Sequence, residues 1–169
     1  MMAAGLATSL ATASLILFAG VIDDLRSRKV HNWLFLACTA IAVLVNVLVG
    51  GWSGLNMAFL GFVAGFLVLL PLVLMKVIGA GDMKLFAAFG AMVGWSVVID
   101  VAILSLIWGA VFGVAQVAMK GQLKTLLKNM LAITSMKKDR PTIELHKMPF
   151  TFAIFMGWLS HLVIHRGVL

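Results

Sequence analysis

The sequence predicts an all-α, polytopic integral membrane protein: a bundle of about six transmembrane helices plus one amphipathic helix in the cytoplasmic interface. Of the 169 residues, 63% are hydrophobic and only 11% are charged, which is more apolar surface than a soluble domain of this length can bury. The apolar residues form segments close to the length of a bilayer span, and the basic residues lie between them. We expect residues 1–169 to form a single transmembrane domain.

The predicted spans follow the apolar segments, at about 4–22, 33–50, 55–75, 83–98, 101–119 and 148–165. The first segment has no basic residues before it, so we interpret it as a retained span rather than a secretory signal. Residues 85–119 would form a single helix of about 50 Å, whereas the hydrocarbon core is about 30 Å thick. We therefore predict a turn between Trp95 and Asp100.

The basic residues predict the orientation of the spans. All 13 lysines and arginines except Arg166 fall in the first, third and fifth loops. The positive-inside rule therefore places these loops in the cytoplasm and both termini outside a cytoplasmic (inner) membrane. Because the positive charge follows the topology, we expect the lipid bilayer, and no nucleic acid, as its partner.

The fifth loop contains the predicted amphipathic helix. In Lys120–Leu131, KGQLKTLLKNML, lysines recur every four residues and leucines occupy another face. This pattern is typical of a helix that lies in the interface with its basic face toward anionic headgroups.

Glycines four residues apart predict where the spans pack closely. The pairs are Gly61 and Gly65, Gly90 and Gly94, and Gly109 and Gly113. Small residues at this spacing let the backbones of two membrane helices approach each other. We interpret these glycines as packing residues.

Three acidic residues occupy costly positions. Asp23 and Asp24 end the first span and Asp82 opens the fourth, so the predicted topology places all three at the cytoplasmic boundary. A charge at membrane depth costs at least about 2.5 kcal/mol, and ionisable residues there are functional candidates. The other acidic residues are expected to be ordinary solvated groups: Asp100, Asp139 and Glu144.

Two facing carboxylates at this boundary predict aspartic acid–base chemistry. Mutual repulsion keeps one carboxyl neutral as an acid while the other acts as a base that activates water. Gly79 and Gly81 are expected to permit unusual backbone angles beside Asp82 and to let a substrate backbone come close. This chemistry needs no metal or cofactor. The alternative reading is that Asp82 only caps the N-terminus of the fourth helix.

Histidine and cysteine predict no metal site. His146, His161 and His165 show no convincing ligand spacing, so we treat them as interfacial residues. The single cysteine, Cys38, lies inside an apolar run and is expected to be a core residue.

GAGDMKL around Asp82 and DLRSRKVHN from Asp24 resemble two motifs of the prepilin peptidase family, the type IV prepilin leader peptidases, which are GxGD membrane aspartic proteases. MPFTFAIFMG from Met148 is similar to the opening of the last family helix. The resemblance implies that Asp24 and Asp82 are the catalytic pair. Its spacing from Asn32 selects Asp24 over Asp23, and His31 stands where the family usually has proline. The expected supporting residues are Gly79, Gly81, Lys84 and Asp23.

The resemblance also implies a function. A family member removes the short cytoplasmic leader from prepilin-like, membrane-anchored subunits and cleaves after a glycine that precedes the hydrophobic helix. Larger members carry a further cytoplasmic domain and N-methylate the new amino terminus. The 169 residues leave no room for that domain, so we expect a peptidase-only type similar to that of tight-adherence pili. A homo-oligomer is left open.

Two other classes of function compete with the peptidase. A small proton- or cation-coupled transporter or channel would use buried aspartates for its ions. A membrane assembly subunit would have no catalytic role. A peptidase requires Asp24 and Asp82 close together on one side, whereas a transport pathway should link acidic groups across the bilayer. Asp100 is the only candidate predicted on the outer side.

Overall fold

The structure, a computed structural model, describes residues 2–27, 31–121 and 150–165. They form five helices, named here in chain order α1 (Met2–Ser27), α2 (Asn32–Leu74), α3 (Ala80–Val93), α4 (Trp95–Met119) and α5 (Phe150–His165). No strand occurs within these described ranges, so the all-α prediction is confirmed. Of the predicted interfacial helix only Lys120 and Gly121 are described, in a turn, and its remainder lies outside the described residues.

Helix α2 comprises two helical halves that fold back on each other at Gly51. Gly51 has φ 57° and ψ −131°, a backbone conformation that is not helical and that strongly favours glycine. Beyond this break, Gly54 lies directly against the backbone carbonyl of Asn46. The break therefore separates the predicted segments 33–50 and 55–75.

The break in the long apolar region 85–119 lies at Gly94, just before the predicted turn. Gly94 has φ 85° and separates the end of α3 from the start of α4 at Trp95. The prediction of a turn between Trp95 and Asp100 was therefore wrong in position, because these residues form the first turns of α4. The physical reason is that glycine adopts positive φ without strain, so the chain reverses there and not at the polar residues that follow.

Within the described part of the chain, two helices are long and apolar enough to cross a membrane, Asn32–Leu74 and Trp95–Met119. Helix α5 is a shorter apolar helix of 16 residues. Helix α3 has 14 residues and is therefore about 21 Å long, less than the thickness of the hydrocarbon core. The count of six spans stays a prediction.

The short helix α3 is the centre of the molecule. Every residue from Leu85 to Val93 is buried, and α3 contacts all four other helices. Phe89 packs edge-on against Trp158 of α5, with ring centroids 5.2 Å apart. The outer surface instead exposes large apolar side chains such as Leu48, Trp52 and Val163. Apolar residues outside a packed core are what a lipid-facing surface requires.

Glycine contacts bring α2 and α3 together as closely as backbones allow. The missing side chain of Gly61 faces the carbonyl oxygen of Gly90, and Gly65 faces the backbone of Phe86. Gly109 of α4 instead contacts the Phe150 ring of α5. The predicted packing role is therefore confirmed for Gly61, Gly65 and Gly90. Gly113 has open space where a side chain would be.

We predict that Gly61→Ala destabilises the fold. The added methyl group would overlap the Gly90 carbonyl oxygen, which belongs to a backbone that cannot rotate away, and we expect a cost of about 1–3 kcal/mol in the free energy of unfolding. The matched control is Gly113→Ala, which gains the same helix propensity without a steric contact. Thermal melting in detergent measures both variants, and equal melting temperatures would contradict the prediction.

Candidate active site

Three helix ends meet on one face of the bundle. Asp24 lies in the last turn of α1, Asp82 in the first turn of α3, and Thr151 in the first turn of α5. Because α3 and α5 start where α1 ends, the antiparallel arrangement places the three side chains side by side. The structure thus brings together the two aspartates that the sequence predicted as a pair.

The Thr151 hydroxyl joins the two carboxyl groups. Its Oγ1 lies 2.7 Å from Asp24 Oδ2 and 2.6 Å from Asp82 Oδ1, both hydrogen-bond distances. A hydroxyl carries one proton and can donate only one of these bonds. The other bond exists when the second carboxyl is protonated and donates its own proton to the Thr151 oxygen. The geometry therefore fits a pair that holds one proton in total.

Burial differs across the three residues. Thr151 is fully buried and Asp82 is 9% exposed, whereas Asp24 is only half-buried. Burial disfavours the charged form of a carboxyl. The shared proton is therefore best placed on Asp82, and the negative charge on Asp24, which water reaches more easily.

Asp23 points away from the pair. The backbone N–H of His31 donates to Asp23 Oδ2 at 2.9 Å, and the His31 ring Nδ1 lies 2.9 Å from Oδ1. Asp23 follows the predicted first span; its partial burial by itself raises the pKa of the carboxyl, but the hydrogen bonds and charge of His31 bring it below its usual value. Asp23 thus ties the end of α1 to the residue that precedes α2. His31, the departure from the family proline, supplies that contact.

Lys84 also supports the site without touching the pair. Its Nζ donates to Asn32 Oδ1 at 2.9 Å, which connects the first turns of α3 and α2. Asn32 is the residue that closes the first motif, DLRSRKVHN. The contact therefore joins the two motifs to each other through side chains that are not acidic.

The two motif glycines do not have the predicted backbone angles. Gly79 has φ −75° and ψ 147°, an extended conformation open to any residue, and Gly81 lies within the first turn of α3. Neither described glycine has positive φ, so the prediction of unusual angles was wrong. The absence of a side chain still matters at Gly79, where a Cβ would lie 3.4 Å from Asp82 Oδ2 and would cover this carboxyl oxygen.

Capping alone does not account for the contacts of Asp82. The N-cap of α3 is Gly79, and Asp82 lies three residues further on. The Asp82 carboxyl group accepts the backbone N–H of Gly79, so it does contribute to capping the start of the helix. A carboxylate in the first turn still gains from the helix dipole. Its hydroxyl contact with Thr151, which is 69 residues away in sequence, is beyond what a cap requires.

Thr151 is the site residue that sequence reasoning missed. It lies in MPFTFAIFMG, which was read only as the opening of a family helix. The available signal was a polar residue in the first turn of an apolar segment on the predicted cytoplasmic side. That signal is weak, because threonine is common in membrane helices and its partners are distant in sequence.

Two of the histidines that were predicted to be interfacial residues instead lie in a cluster with an aspartate. His161 and His165 of α5 gather with Asp100 of α4, and donor atoms of the three residues lie within 4.8 Å of one another. The sequence spacing hid this group because it depends on contact between two helices. His146 lies outside the described residues.

Comparison with known proteins identifies similar chains. The family described as type IV leader peptidases matches residues 10–114, which include Asp24 and Asp82 and end before Thr151. The chain is 35% identical over 112 residues to a prepilin leader peptidase/N-methyltransferase of Aeromonas salmonicida (strain A449) and 34% identical over 112 residues to one of Aeromonas hydrophila. Each alignment covers 62% of this chain and 38% of the relative, so the chain spans little more than a third of these relatives. No solved structure matches the chain.

We predict that the bridged pair holds one protonated carboxyl group at about pH 5, where a free aspartate is ionised. Infrared spectroscopy of the protein in lipid should show the C=O band of a protonated carboxylic acid, and the double variant Asp24→Asn/Asp82→Asn should lack it. Asp23→Asn is the matched control and should keep the band, since Asp23 bonds His31 rather than the pair. The same spectrum in wild type and double variant would contradict the shared proton.

Proposed function

Because the chain belongs to the type IV leader peptidase family, as the motif resemblance predicted, we propose that it is a membrane-embedded aspartic endopeptidase with Asp24 and Asp82 as its catalytic pair. Its substrate is a prepilin-like, membrane-anchored subunit with a short cytoplasmic leader. The observation that carries the proposal is the Thr151 hydroxyl, which holds the two carboxyl groups one oxygen atom apart.

The proposed reaction uses the two protonation states of the pair. Ionised Asp24 takes a proton from a water molecule, whose oxygen attacks the carbonyl carbon of the leader glycine. Asp82 donates its proton to the carbonyl oxygen, which stabilises the tetrahedral intermediate. Collapse of the intermediate returns that proton to Asp82 and breaks the C–N bond, while Asp24 passes its proton to the leaving amine. Both groups end in their starting states, so no cofactor is needed.

The proposed membrane arrangement explains how the substrate reaches the pair. The predicted topology puts the ends of α1, α3 and α5 that carry the site at the cytoplasmic face of the inner membrane. A substrate helix moving in the bilayer would then present its leader at the half-buried Asp24 side. Gly79, which has no side chain beside Asp82, leaves room there for an extended backbone.

The apolar packing between Asp82 and Asp100 disfavours the transporter alternative. A transport pathway would have to continue from Asp82 toward the acidic group at the other end, Asp100. The layer between them is filled by Phe86, Phe89 and Ile154, all 0% exposed and all apolar. An ion crossing this layer would lose its hydration without gaining ligands.

The first test compares the two adjacent aspartates. In membranes that contain a prepilin-like substrate, Asp24→Asn and Asp82→Asn should each slow leader removal by about 100-fold or more, because each removes one acid–base group. Asp23→Asn is the matched control and should stay within about fivefold of wild type, since it weakens a partly exposed contact with His31 and removes no acid–base group of the pair. Gel mobility and the mass of the new amino terminus measure cleavage. Undiminished processing by either catalytic variant would exclude the pair.

The second test concerns the bridge. Thr151→Val keeps the side-chain shape but removes the hydroxyl, and we expect processing to fall by about tenfold, the equivalent of one hydrogen bond to a charged group. Thr151→Ser restores the hydroxyl and should recover most of the rate. The pH profile separates this role from a packing role, because loss of the bridge should move the pH limits of activity in Val and not in Ser. Equal rates and profiles for both variants would refute it.

A further inference from the structure

The second polar cluster of the molecule lies at the opposite end from the aspartate pair. Asp100 is near the start of α4, and His161 and His165 are one turn apart at the end of α5. His161 is ten residues beyond Thr151 in the same helix, a distance of about 15 Å along its axis. Donor atoms of the three side chains lie within 4.8 Å of one another. This group does not contribute to the proposed peptidase site.

One histidine of the cluster has an unsatisfied nitrogen. His161 is only 7% exposed, and its Nδ1 is buried with no hydrogen-bond partner in the described part of the chain. Buried polar atoms in native proteins nearly always have a partner, so an orphan of this kind calls for a missing one. The ring is held in place by Trp158 on one face and by His165 on the other.

The second histidine already has the hydrogen bond that a metal ligand needs. His165 Nδ1 lies 3.1 Å from the backbone carbonyl oxygen of His161. A carbonyl oxygen only accepts, so Nδ1 carries the proton and Nε2 has a free lone pair. Histidine ligands commonly make this second contact, which fixes the tautomer and orients the ring.

The carboxylate completes the group without being bonded to it. Among the described residues, neither a hydrogen bond nor an ion pair joins Asp100 to His161 or His165, although the three converge. Asp100 and His165 are both exposed, whereas His161 is fixed by burial. The exposed side chains can rotate toward an ion, and for His165 this means giving up part of its stacking on His161. An ion placed between the donors would bond Asp100 and the two histidines through one centre.

We propose that Asp100, His161 and His165 bind a divalent transition-metal ion of the zinc type. Two imidazole nitrogens and one carboxylate oxygen are a ligand set suited to such ions, and histidines at i and i+4 present their rings on one helix face. Tetrahedral bonds of about 2.0–2.1 Å bring donors to about 3.4 Å from one another. Rotation of the two exposed side chains, which turns the His165 ring out of its stack on His161, would close the present separation to that value.

The site would hold two helices together and leave one coordination position open. Its ligands come from α4 and α5, so the ion links these helices at the end opposite the aspartates. His161 and His165 also line a cavity of about 720 Å³ to which all five helices contribute residues. The fourth position of the metal can therefore take water or a ligand from this cavity.

The test measures zinc binding by the full-length protein. Untagged, metal-free protein in lipid nanodiscs is titrated with zinc chloride against a chromophoric chelator, and bound zinc is counted by mass spectrometry. We expect one zinc per chain. Asp100→Asn and His165→Gln, at two exposed positions, should each weaken binding by about tenfold or more. His31→Gln is the matched control, because it removes a histidine from the other end of the molecule.

The outcomes separate a site from adventitious binding. X-ray absorption of the zinc-loaded protein should show nitrogen and oxygen ligands at about 2.0–2.1 Å, with two imidazoles. His161→Gln is a third variant, at a buried position. If this variant does not fold, zinc binding by Asp100→Asn and His165→Gln still tests the proposal. The proposal is overturned if wild type shows no saturable zinc, if either exposed variant binds as wild type does, or if His31→Gln loses the metal as well. Leader processing is not the readout, so this result is independent of the proposed peptidase.

Discussion

One hydroxyl proton constrains the whole arrangement at the candidate active site. Thr151 Oγ1 lies within hydrogen-bond distance of both Asp24 and Asp82, and a single proton cannot serve two ionised carboxylates. The bridge therefore stabilises the state in which the pair shares one further proton. That state requires the ends of three helices, α1, α3 and α5, to meet within a few ångströms. Much of the remaining fold can be understood as the means of bringing them there.

The glycines of α2 and α3 position Asp82. Because Gly61 and Gly90 let the two backbones touch, the short α3 packs in the centre of the bundle with its first turn beside α1 and α5. Lys84 bonds Asn32 and Asp23 bonds His31, and these two contacts hold the start of α2 beside the site. These side chains are charged and close to the pair, yet each is directed to a partner of its own. The catalytic candidates are thereby separated from the nearby charges that would perturb them.

The polar chemistry of the molecule is divided between its two ends. The carboxyl pair lies at one end and the group of Asp100, His161 and His165 at the other, with the aromatic and aliphatic core of α3 and α5 between them. An apolar layer of this kind opposes the movement of ions between the two ends, because a charge is costly to place within it. The proposed hydrolysis uses the first end, and the proposed metal site would join two helices at the second.

Local patterns in the sequence were enough for the helical class, for the break between residues 50 and 55, and for the expectation that Asp24 and Asp82 lie close together, while their catalytic role stays a proposal. Each of these depends on residues close in the chain: apolar runs, a glycine, or a short motif with its own spacing. Thr151 and the partners of His161 were not predictable, because Thr151 meets Asp24 across 127 residues and His161 meets Asp100 between two helices. The predicted position of the turn near Gly94 was wrong for a related reason. The prediction followed the polar residues, whereas the chain turns at the glycine, which can adopt positive φ. Composition and spacing specify which groups are present, whereas packing of the helices decides which of them touch.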